Sequence, residues 1–306
     1  MTVNMRDAFF DGVYDCVKKD KNVVIITADH GAFGLSKIEK DFPTQFLNVG
    51  IAEQNMISIA AGLAKCGKIV YVYSINNFIT LRSLEHVNID LCAMNLHVNL
   101  IGVGAGFTYA TDGPTHQGMQ DMQSMMVLPK LSVFNVTDHI NSYELAVLGY
   151  ENPGPKYFRI EKGNLPQIYN KNINFDDGFY QINKPSDTVI ISTGFMIQTC
   201  LYLKDKINNL SIIDLYRVKP INETKLIEKL KNVKNIIVLE ECTMSGGICE
   251  KIGFLLAKNK IFCNFLPIAV EDTHCHFYGN RDMLHNRFNI DKESVLSKIN
   301  KFLETS

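Results

Sequence analysis

The sequence predicts an α/β protein with two domains, each built on a mostly parallel sheet flanked by helices. Two observations predict this class. Short apolar runs rich in β-branched residues recur along the chain, and the segments between them carry apolar residues at the three-and-four spacing of amphipathic helices. This alternation is interrupted once, by a stretch rich in Asn, Asp, Gly and Pro, and then begins again.

The first domain is predicted to span residues 1–165. Its opening helix carries Ala8, Phe9 and Val13 on one face, and the β-branched run at residues 23–27 follows as a buried strand. The same patterns then alternate along the domain. Further strands are expected at 69–73, 99–103, 131–136 and 156–160, and helices at 5–18, 53–64, 78–91, 119–128 and 141–150.

A linker is predicted at residues 166–186, where the helix and strand patterns lapse, and a second domain at residues 187–306. This domain is expected to be a smaller α/β unit. Its strands are predicted at 189–192, 211–215, 235–239 and 264–268, with helices that begin at 198, 223 and 249.

The composition of the 306 residues, 46% hydrophobic and 21% charged, is typical of a globular protein. A net charge of −1 argues against nucleic-acid or membrane-surface binding, since both normally need a basic excess. Eight cysteines without a CxxC pair indicate reduced thiols, so a cytoplasmic location is expected. No apolar run predicts a signal peptide at residues 1–20 or a membrane span elsewhere.

The most informative carboxylate is Glu53, which stands alone among uncharged residues from 48 to 64. Met56 and Leu63 follow it at helical spacing, so Glu53 is expected in the first turn of a helix that stops at Gly67. The helix dipole favours a negative charge there, which is the ordinary explanation for such a residue. The apolar flanks indicate instead a carboxylate held against apolar surface, and hence a candidate for proton chemistry.

Two other stretches place polar or flexible residues where α/β sheets hold ligands. Asp29 and His30 follow the first strand, and the carboxyl ends of parallel strands form the usual ligand edge. For His30 a simple turn is an equal alternative. Residues 102–117 are rich in glycine and poor in charge, which indicates backbone packed against a ligand or another chain. A dinucleotide is disfavoured, because no acidic residue follows at the required spacing.

Three stretches together resemble the transketolase family. They are residues 48–55 (NVGIAEQN), residues 112–117 (DGPTHQ) and, in the second domain, residues 213–220 (IDLYRVKP) with Glu240-Glu241 and Gly246-Gly247. Their order and spacing resemble the pyrimidine-binding and C-terminal domains of transketolase, an organisation that deoxyxylulose-phosphate synthase shares. The resemblance implies a thiamine-diphosphate enzyme that transfers a two-carbon ketol unit between sugars or sugar derivatives.

The resemblance implies a catalytic role for Glu53. In the family the glutamate at this position hydrogen-bonds N1′ of the cofactor's aminopyrimidine and favours the imino tautomer, whose nitrogen removes the proton from C2 of the thiazolium. Phe78 resembles the aromatic residue that stacks on the pyrimidine, with core packing as the alternative. Asp29 matches an aspartate near the cofactor. Ile75 and Leu81 replace neighbouring aromatics of the family, so stacking by one ring is expected.

The resemblance also implies substrate contacts. His116 resembles a histidine that meets the donor hydroxyls near the reacting carbon, and Asp112 an aspartate that binds a sugar hydroxyl. Arg159 resembles the arginine that grips a sugar phosphate, with a salt bridge to a strand-end acid as the alternative. The chain departs from the family where Gly104 replaces a phosphate-binding histidine and His30 a leucine. These departures leave room for a modified sugar, with His30 as a further substrate-binding candidate.

The chain contains no Gly-Asp-Gly motif, by which the family holds the diphosphate and its metal. The acidic pairs Asp176-Asp177 and Glu240-Glu241 and the run at residues 274–276 are interpreted as turns or loops rather than metal ligands. The resemblance therefore implies a split enzyme, in which an N-terminal subunit with the Gly-Asp-Gly domain holds the diphosphate and Mg²⁺. Two such pairs are expected to form an α₂β₂ assembly.

Three alternatives remain open. The chain could be deoxyxylulose-phosphate-synthase-like, or a β-type subunit of a 2-oxoacid dehydrogenase, although the motif at residues 112–117 favours transketolase chemistry over the latter. It could also be a non-catalytic assembly subunit with the same fold. The presence of Glu53, Asp112 and His116 together argues against this third alternative, because a scaffold needs none of them.

Overall fold

The structure, a computed structural model, describes residues 4–170 and 173–305. It has the predicted class, because two mostly parallel sheets are flanked by helices. All eight cysteines are free thiols, and six of them are buried. Within the described ranges, no helix is both long enough and apolar enough to cross a membrane.

The chain divides into two compact units. The first contains Met1–Ala105 and Gln120–Phe175, and the second contains Gly106–Met119 and Asp176–Ser306. The glycine-rich loop is thus shared between them, and most of it groups with the second unit. The predicted limits at 165 and 187 stay a prediction, and the predicted linker includes one short strand, Tyr180–Gln181.

The first unit follows a repeating order of strands and helices. Its strands are β1 (Val23–Thr27), β2 (Phe46–Asn48), β3 (Ile69–Ile75), β4 (Val98–Val103), β5 (Ser132–Asn135) and β6 (Lys156–Ile160). Its helices are α1 (Met5–Lys19), α2 (Phe33–Asp41), α3 (Glu53–Lys65), α4 (Asn76–Ile79), α5 (Leu84–His86), α6 (Asp121–Met126) and α7 (His139–Glu151). A 3-10 turn (Pro43–Gln45) and a π-helical segment (Val87–Ala93) complete the unit.

The six strands of the first unit are parallel and lie in the order β5-β6-β4-β3-β1-β2. Every residue of β1 and β4 is buried, which explains why these strands form continuous runs rather than alternating patterns. Thr27 at the end of β1 pairs with Asn48 of β2 and with Tyr73 of β3. The parallel order therefore brings the carboxyl ends of β1, β2 and β3 to one edge of the sheet.

Helices cover the sheet through the apolar faces that the sequence predicts. Ala8, Phe9 and Val13 of α1 are buried, and the Phe9 ring lies 5.2 Å from that of Phe158 in β6. α1 also lies close to α7. A side chain added at Gly12 would stand 2.7 Å from the carbonyl oxygen of Tyr143, so only glycine allows this approach.

The second unit has its own sheet and helices. Its strands are β7 (Tyr180–Gln181), β8 (Thr188–Ser192), β9 (Leu210–Asp214), β10 (Arg217–Lys219), β11 (Asn235–Thr243) and β12 (Asn264–Val270). Its helices are α8 (Met196–Lys204), α9 (Glu223–Leu230), α10 (Ile248–Lys258), α11 (Arg281–Arg287) and α12 (Lys292–Glu304). Five strands form a sheet in the order β12-β11-β8-β9-β7, in which β7 alone is antiparallel to its neighbour.

The predicted helix at residues 78–91 is wrong. The chain there is broken into α4, α5 and the π-helical segment. The Thr80 amide still donates to the Asn76 carbonyl, as in a helix, but the spacing of the backbone bonds then changes. The Arg82 amide donates to the Asn77 carbonyl at 3.2 Å and the Ser83 amide to the Thr80 carbonyl at 3.2 Å. The sequence predictions also omit α2, α11 and α12. In α12 Val295 and Ile299 are buried, and with Phe302 they follow helical spacing in the sequence, so this helix was predictable from the pattern.

Candidate active site

Four of the predicted site residues lie at the carboxyl edge of the first sheet. Asp29 and His30 follow β1, Glu53 comes after β2, and Phe78 is in α4 directly after β3. Because neighbouring parallel strands end at the same edge, the fold collects residues that are distant in the sequence. This edge is the candidate cofactor site.

The backbone of this edge is held by Asn48, the last residue of β2. Its Oδ1 accepts hydrogen bonds from the amides of Asp29 (3.1 Å) and Gly50 (3.0 Å). Asp29 has a φ of 55°, a left-handed conformation that Asp adopts more readily than most residues. Its side chain is exposed, and its predicted contact with the cofactor stays a prediction.

His30 is half-buried beside the same strand ends. Its carbonyl accepts a hydrogen bond from Thr27 Oγ1 at 2.8 Å, and its ring centroid lies 5.2 Å from that of Tyr73 in β3. These contacts fix a turn, one of the two interpretations of His30. They leave its substrate contact a prediction.

Glu53 is the first residue of α3, as predicted, and α3 ends at Lys65 before Gly67, whose φ of 85° suits a helix stop. Its side chain is only 4% exposed. Ala52 before it provides no side-chain cap. The Glu53 carboxylate is the one acidic group in the first turn, where the helix dipole favours a negative charge. The structure thus presents a buried carboxylate at a helix start.

The surroundings of Glu53 differ from the apolar pocket that the sequence predicts. Arg82 Nη1 donates to Glu53 Oε2 at 2.9 Å, and the Arg82 guanidinium carbon lies 4.1 Å from the centroid of the Phe78 ring. Arg82 therefore contacts both Glu53 and Phe78, the two residues predicted to hold the pyrimidine. Asn76 supports this region by donating from Nδ2 to the Gly104 carbonyl at 2.7 Å.

Arg159 lies in β6 and is 3% exposed. Its Nε donates to Asp121 Oδ2 at 2.9 Å, and the Tyr157 hydroxyl donates to the same oxygen at 2.7 Å. Arg159 Nη1 also lies 3.4 Å from Asn135 Oδ1. A buried salt bridge is thus present, but its acid is Asp121 at the start of α6 rather than the predicted acid at a strand end. The role of Arg159 toward a sugar phosphate stays a prediction.

The predicted substrate residues Asp112 and His116 belong to one compact turn of the second unit. The amides of His116 and Gln117 both donate to the Gly113 carbonyl at 3.1 Å. The hydroxyl of Thr115 lies 2.8 Å from His116 Nδ1, and the Tyr109 ring approaches the His116 ring edge-on at 6.0 Å. The His116 ring is therefore oriented from two sides, while Asp112 is exposed.

Tyr278 packs against this turn from the loop before α11. A side chain added at Gly113 would lie 3.6 Å from the Tyr278 hydroxyl, and Gly113 itself has a φ of 75°. Tyr278 is 69% exposed. An aromatic residue therefore flanks the Asp112 and His116 turn, with most of its surface open.

The two glutamates at 240 and 241 lie in strand β11 rather than in the predicted turn, and both have structural contacts. Glu240 accepts hydrogen bonds from the amides of Ile248 and Cys249, both at 2.9 Å, and so caps the start of α10. Glu241 accepts from Arg281 through Nε at 2.7 Å and Nη2 at 2.6 Å, and also contacts His285 Nε2. Residues 274–276 lie in a loop, and the described residues hold no group of three or more potential metal ligands.

We expect the Glu241 cluster to make the second unit sensitive to acid. Burial alone raises the pKa of Glu241, but Arg281 and His285 outweigh it and hold the pKa at about 2, below its ordinary 4.5. The resulting stabilisation, about 3 kcal/mol, is present above pH 4.5 and is lost as the pH falls toward 2. Urea unfolding between pH 5 and pH 3 should show a shallower pH dependence in Glu241→Gln than in the parent.

The matched control for this prediction is Glu228→Gln, which removes an exposed carboxylate from α9. Its unfolding free energy should follow the parent across the same pH range. An equal pH dependence in the parent and Glu241→Gln would contradict the prediction.

Three residues of these contacts carry no role in the sequence predictions. Arg82 and Asp121 meet their partners across 29 and 38 residues, and no local pattern signals such pairs. Tyr278 lies in an irregular loop. A usable signal existed only for Arg82, a lone basic residue four positions after the predicted stacking ring of Phe78.

Comparison with known protein families gives a match along nearly the whole chain. The model described as "Transketolase, pyrimidine binding domain" matches residues 1–167. The model described as "Transketolase, C-terminal domain" matches residues 180–295. The two matches follow each other without overlap and agree in order with the two units.

Among curated proteins, an apulose-4-phosphate transketolase subunit from Phocaeicola vulgatus is 27% identical over 98% of this chain and 97% of its own length. A putative transketolase C-terminal section from Methanocaldococcus jannaschii is 29% identical over 96% of this chain and 95% of its own length. A solved structure named "Split gene transketolase, inactive beta4 tetramer" superposes with a TM-score of 0.88 at 24% identity, over 99% of both chains. This likeness establishes the fold.

Proposed function

This chain belongs to the transketolase family, and from that premise we propose that it is the C-terminal subunit of a split thiamine-diphosphate-dependent enzyme. The enzyme would transfer a two-carbon ketol unit between sugars or sugar derivatives. The structural observation that carries the proposal is the buried Glu53 carboxylate at the start of α3. The relatives named as a transketolase subunit and as a C-terminal section support it, because they have nearly the same length as this chain.

The residues at the carboxyl edge of the first sheet fit the aminopyrimidine of thiamine diphosphate. A nearly dry carboxylate accepts a strong hydrogen bond from a ring nitrogen that carries a proton, as N1′ does in the imino tautomer, and Glu53 is 4% exposed. The Phe78 ring already holds one planar group, the Arg82 guanidinium, on its face. When bound, thiamine diphosphate supplies the nucleophilic carbon that carries the two-carbon unit. Glu53 would bind and orient the ring, and Phe78 would stack on it.

His116, Asp112 and His30 are the proposed sugar-binding residues, and Asp29 is proposed to stand near the cofactor. His116 has its ring oriented by Thr115, which suits a residue that must meet a hydroxyl in one direction. Asp112 is exposed and can accept hydrogen bonds from a sugar. Arg159 is the proposed phosphate ligand, a role in which its guanidinium would leave or share the Asp121 carboxylate.

The diphosphate and Mg²⁺ are proposed to be held by a separate N-terminal subunit that carries the Gly-Asp-Gly domain. Two such pairs would form an α₂β₂ assembly in the cytoplasm. The relative from Phocaeicola vulgatus supports this arrangement, since it is named as one subunit of a transketolase and matches this chain from end to end.

Calorimetric titration of thiamine diphosphate with Mg²⁺ should reveal tight binding only when this chain is mixed with its partner subunit. The chain alone offers the pyrimidine contacts and lacks Gly-Asp-Gly, so its affinity for the cofactor should be weak. The matched control is the partner subunit alone, which should also bind weakly. Tight binding of cofactor and Mg²⁺ by this chain alone would contradict the split site, and no binding in the mixture would favour a non-catalytic assembly subunit.

A further inference from the structure

Arg82 makes both of the contacts that the proposed function assigns to an aminopyrimidine ring. Its Nη1 donates to the Glu53 carboxylate at 2.9 Å, and its guanidinium lies over the Phe78 ring at 4.1 Å. A guanidinium and an aminopyrimidine share the properties that these contacts need. Both are planar and stack on aromatic faces, and both can present an N–H to a carboxylate, the ring at N1′ when that nitrogen carries the proton.

We propose that the Arg82 side chain competes with the aminopyrimidine for its site. The guanidinium must leave Glu53 and Phe78 before the ring can bind there. The inference rests on the proposed function, because that function assigns Glu53 and Phe78 to the pyrimidine. It adds a residue of this chain that opposes cofactor binding. The cofactor therefore enters by exchange with a side chain rather than by filling an open slot.

The two occupants exclude each other on steric and electrostatic grounds. The Arg82 guanidinium covers one face of the Phe78 ring, so an aminopyrimidine cannot stack on that face at the same time. The same guanidinium donates a hydrogen bond to Oε2 of Glu53, whose side chain is nearly inaccessible to solvent. Binding an aminopyrimidine therefore means replacing a charge-assisted hydrogen bond and a cation–π contact with their counterparts from the ring.

Arg82 can leave by a movement of its side chain alone. Its backbone is anchored on both sides, because its amide donates to the Asn77 carbonyl at 3.2 Å and its carbonyl accepts from Gln54 Nε2 at 3.1 Å. The side chain is 44% exposed, against 4% for Glu53, so solvent lies next to the guanidinium. A rotation about the side-chain bonds carries the charge into water without moving α3 or α4.

The test uses the full chain and a neutral probe, 4-amino-5-hydroxymethyl-2-methylpyrimidine, titrated by calorimetry. The probe has the ring of the cofactor without its charged groups, so a charge change at Arg82 does not act on it at long range. Arg82→Met should lower its dissociation constant about tenfold, the size expected when one partly exposed ion pair and one cation–π contact cease to compete. Arg82→Lys, which keeps the charge without the planar group, should fall between.

The matched control is Arg287→Met, because Arg287 lies over the Phe277 ring at 4.3 Å in the second unit. This variant should bind the probe as the parent does. Equal or weaker binding in Arg82→Met than in the parent would overturn the competition and leave the proposed function standing. Because the proposed function expects weak binding by the chain alone, each titration is repeated with the partner subunit present. Absence of saturable binding in every one of these mixtures would overturn the pyrimidine assignment, and the inference with it.

A second measurement separates competition from a general loosening of the site. In Arg82→Ala, added methylguanidine should bind between Glu53 and Phe78, where the Arg82 guanidinium lies in the parent, and should weaken binding of the probe. It should have no such effect on the parent, whose own guanidinium is already there. A probe affinity in Arg82→Ala that does not respond to methylguanidine would also overturn the inference.

Discussion

Glu53→Gln is expected to abolish two-carbon transfer while leaving the fold intact. The substitution keeps the shape of the side chain in the first turn of α3 but removes the charge that would strengthen the hydrogen bond to the cofactor ring. We expect the rate to fall about 10²- to 10⁴-fold, the range typical of a residue that assists proton transfer. Steady-state rates with the partner subunit, thiamine diphosphate and Mg²⁺ provide the measurement, with circular dichroism as the check on folding.

The matched control is Glu85→Gln, which removes a carboxylate that is 80% exposed. It should retain the activity of the parent. Glu53→Gln with activity within a few-fold of the parent, at equal protein folding, would refute the role of Glu53 and favour the non-catalytic alternative.

Arg159→Met is expected to destabilise the first unit by about 3–5 kcal/mol, the cost of leaving one partner of a buried ion pair alone. Asp121 is fully buried, and its Oδ2 accepts from Arg159 and from the Tyr157 hydroxyl. Without the guanidinium, the carboxylate keeps one neutral donor for a buried charge. Urea unfolding at neutral pH, followed by circular dichroism, measures the loss.

Lys225→Met is the control for this prediction, because Lys225 pairs with Asp177 at an exposed position. It should cost less than about 1 kcal/mol. The same variant distinguishes the two interpretations of Arg159, as a partner in a structural salt bridge or as a phosphate ligand. A small loss of stability with a large rise in KM for a phosphorylated sugar would identify Arg159 as a phosphate ligand and would contradict a mainly structural role.

Much of the fold follows from patterns that act locally. The strand at residues 23–27 is as predicted because its β-branched run is buried on both faces. The helix that begins at Glu53 is also as predicted, because the apolar residues that follow at helical spacing, among them Met56 and Ala60, are buried. The break at residues 76–93 was not predictable from apolar spacing, since it depends on backbone hydrogen bonds that change their spacing, from the Arg82 amide to the Asn77 carbonyl and from the Ser83 amide to the Thr80 carbonyl.

By itself, the sequence determined the α/β class, the family resemblance and the position of a buried carboxylate at a helix start. The tertiary structure alone decided what that carboxylate meets. Arg82 reaches Glu53 across 29 residues, and Asp121 reaches Arg159 across 38, because the sheet brings separate strand ends together. Periodicity records which face of an element is buried, whereas the partner of a charged side chain is chosen by packing in three dimensions.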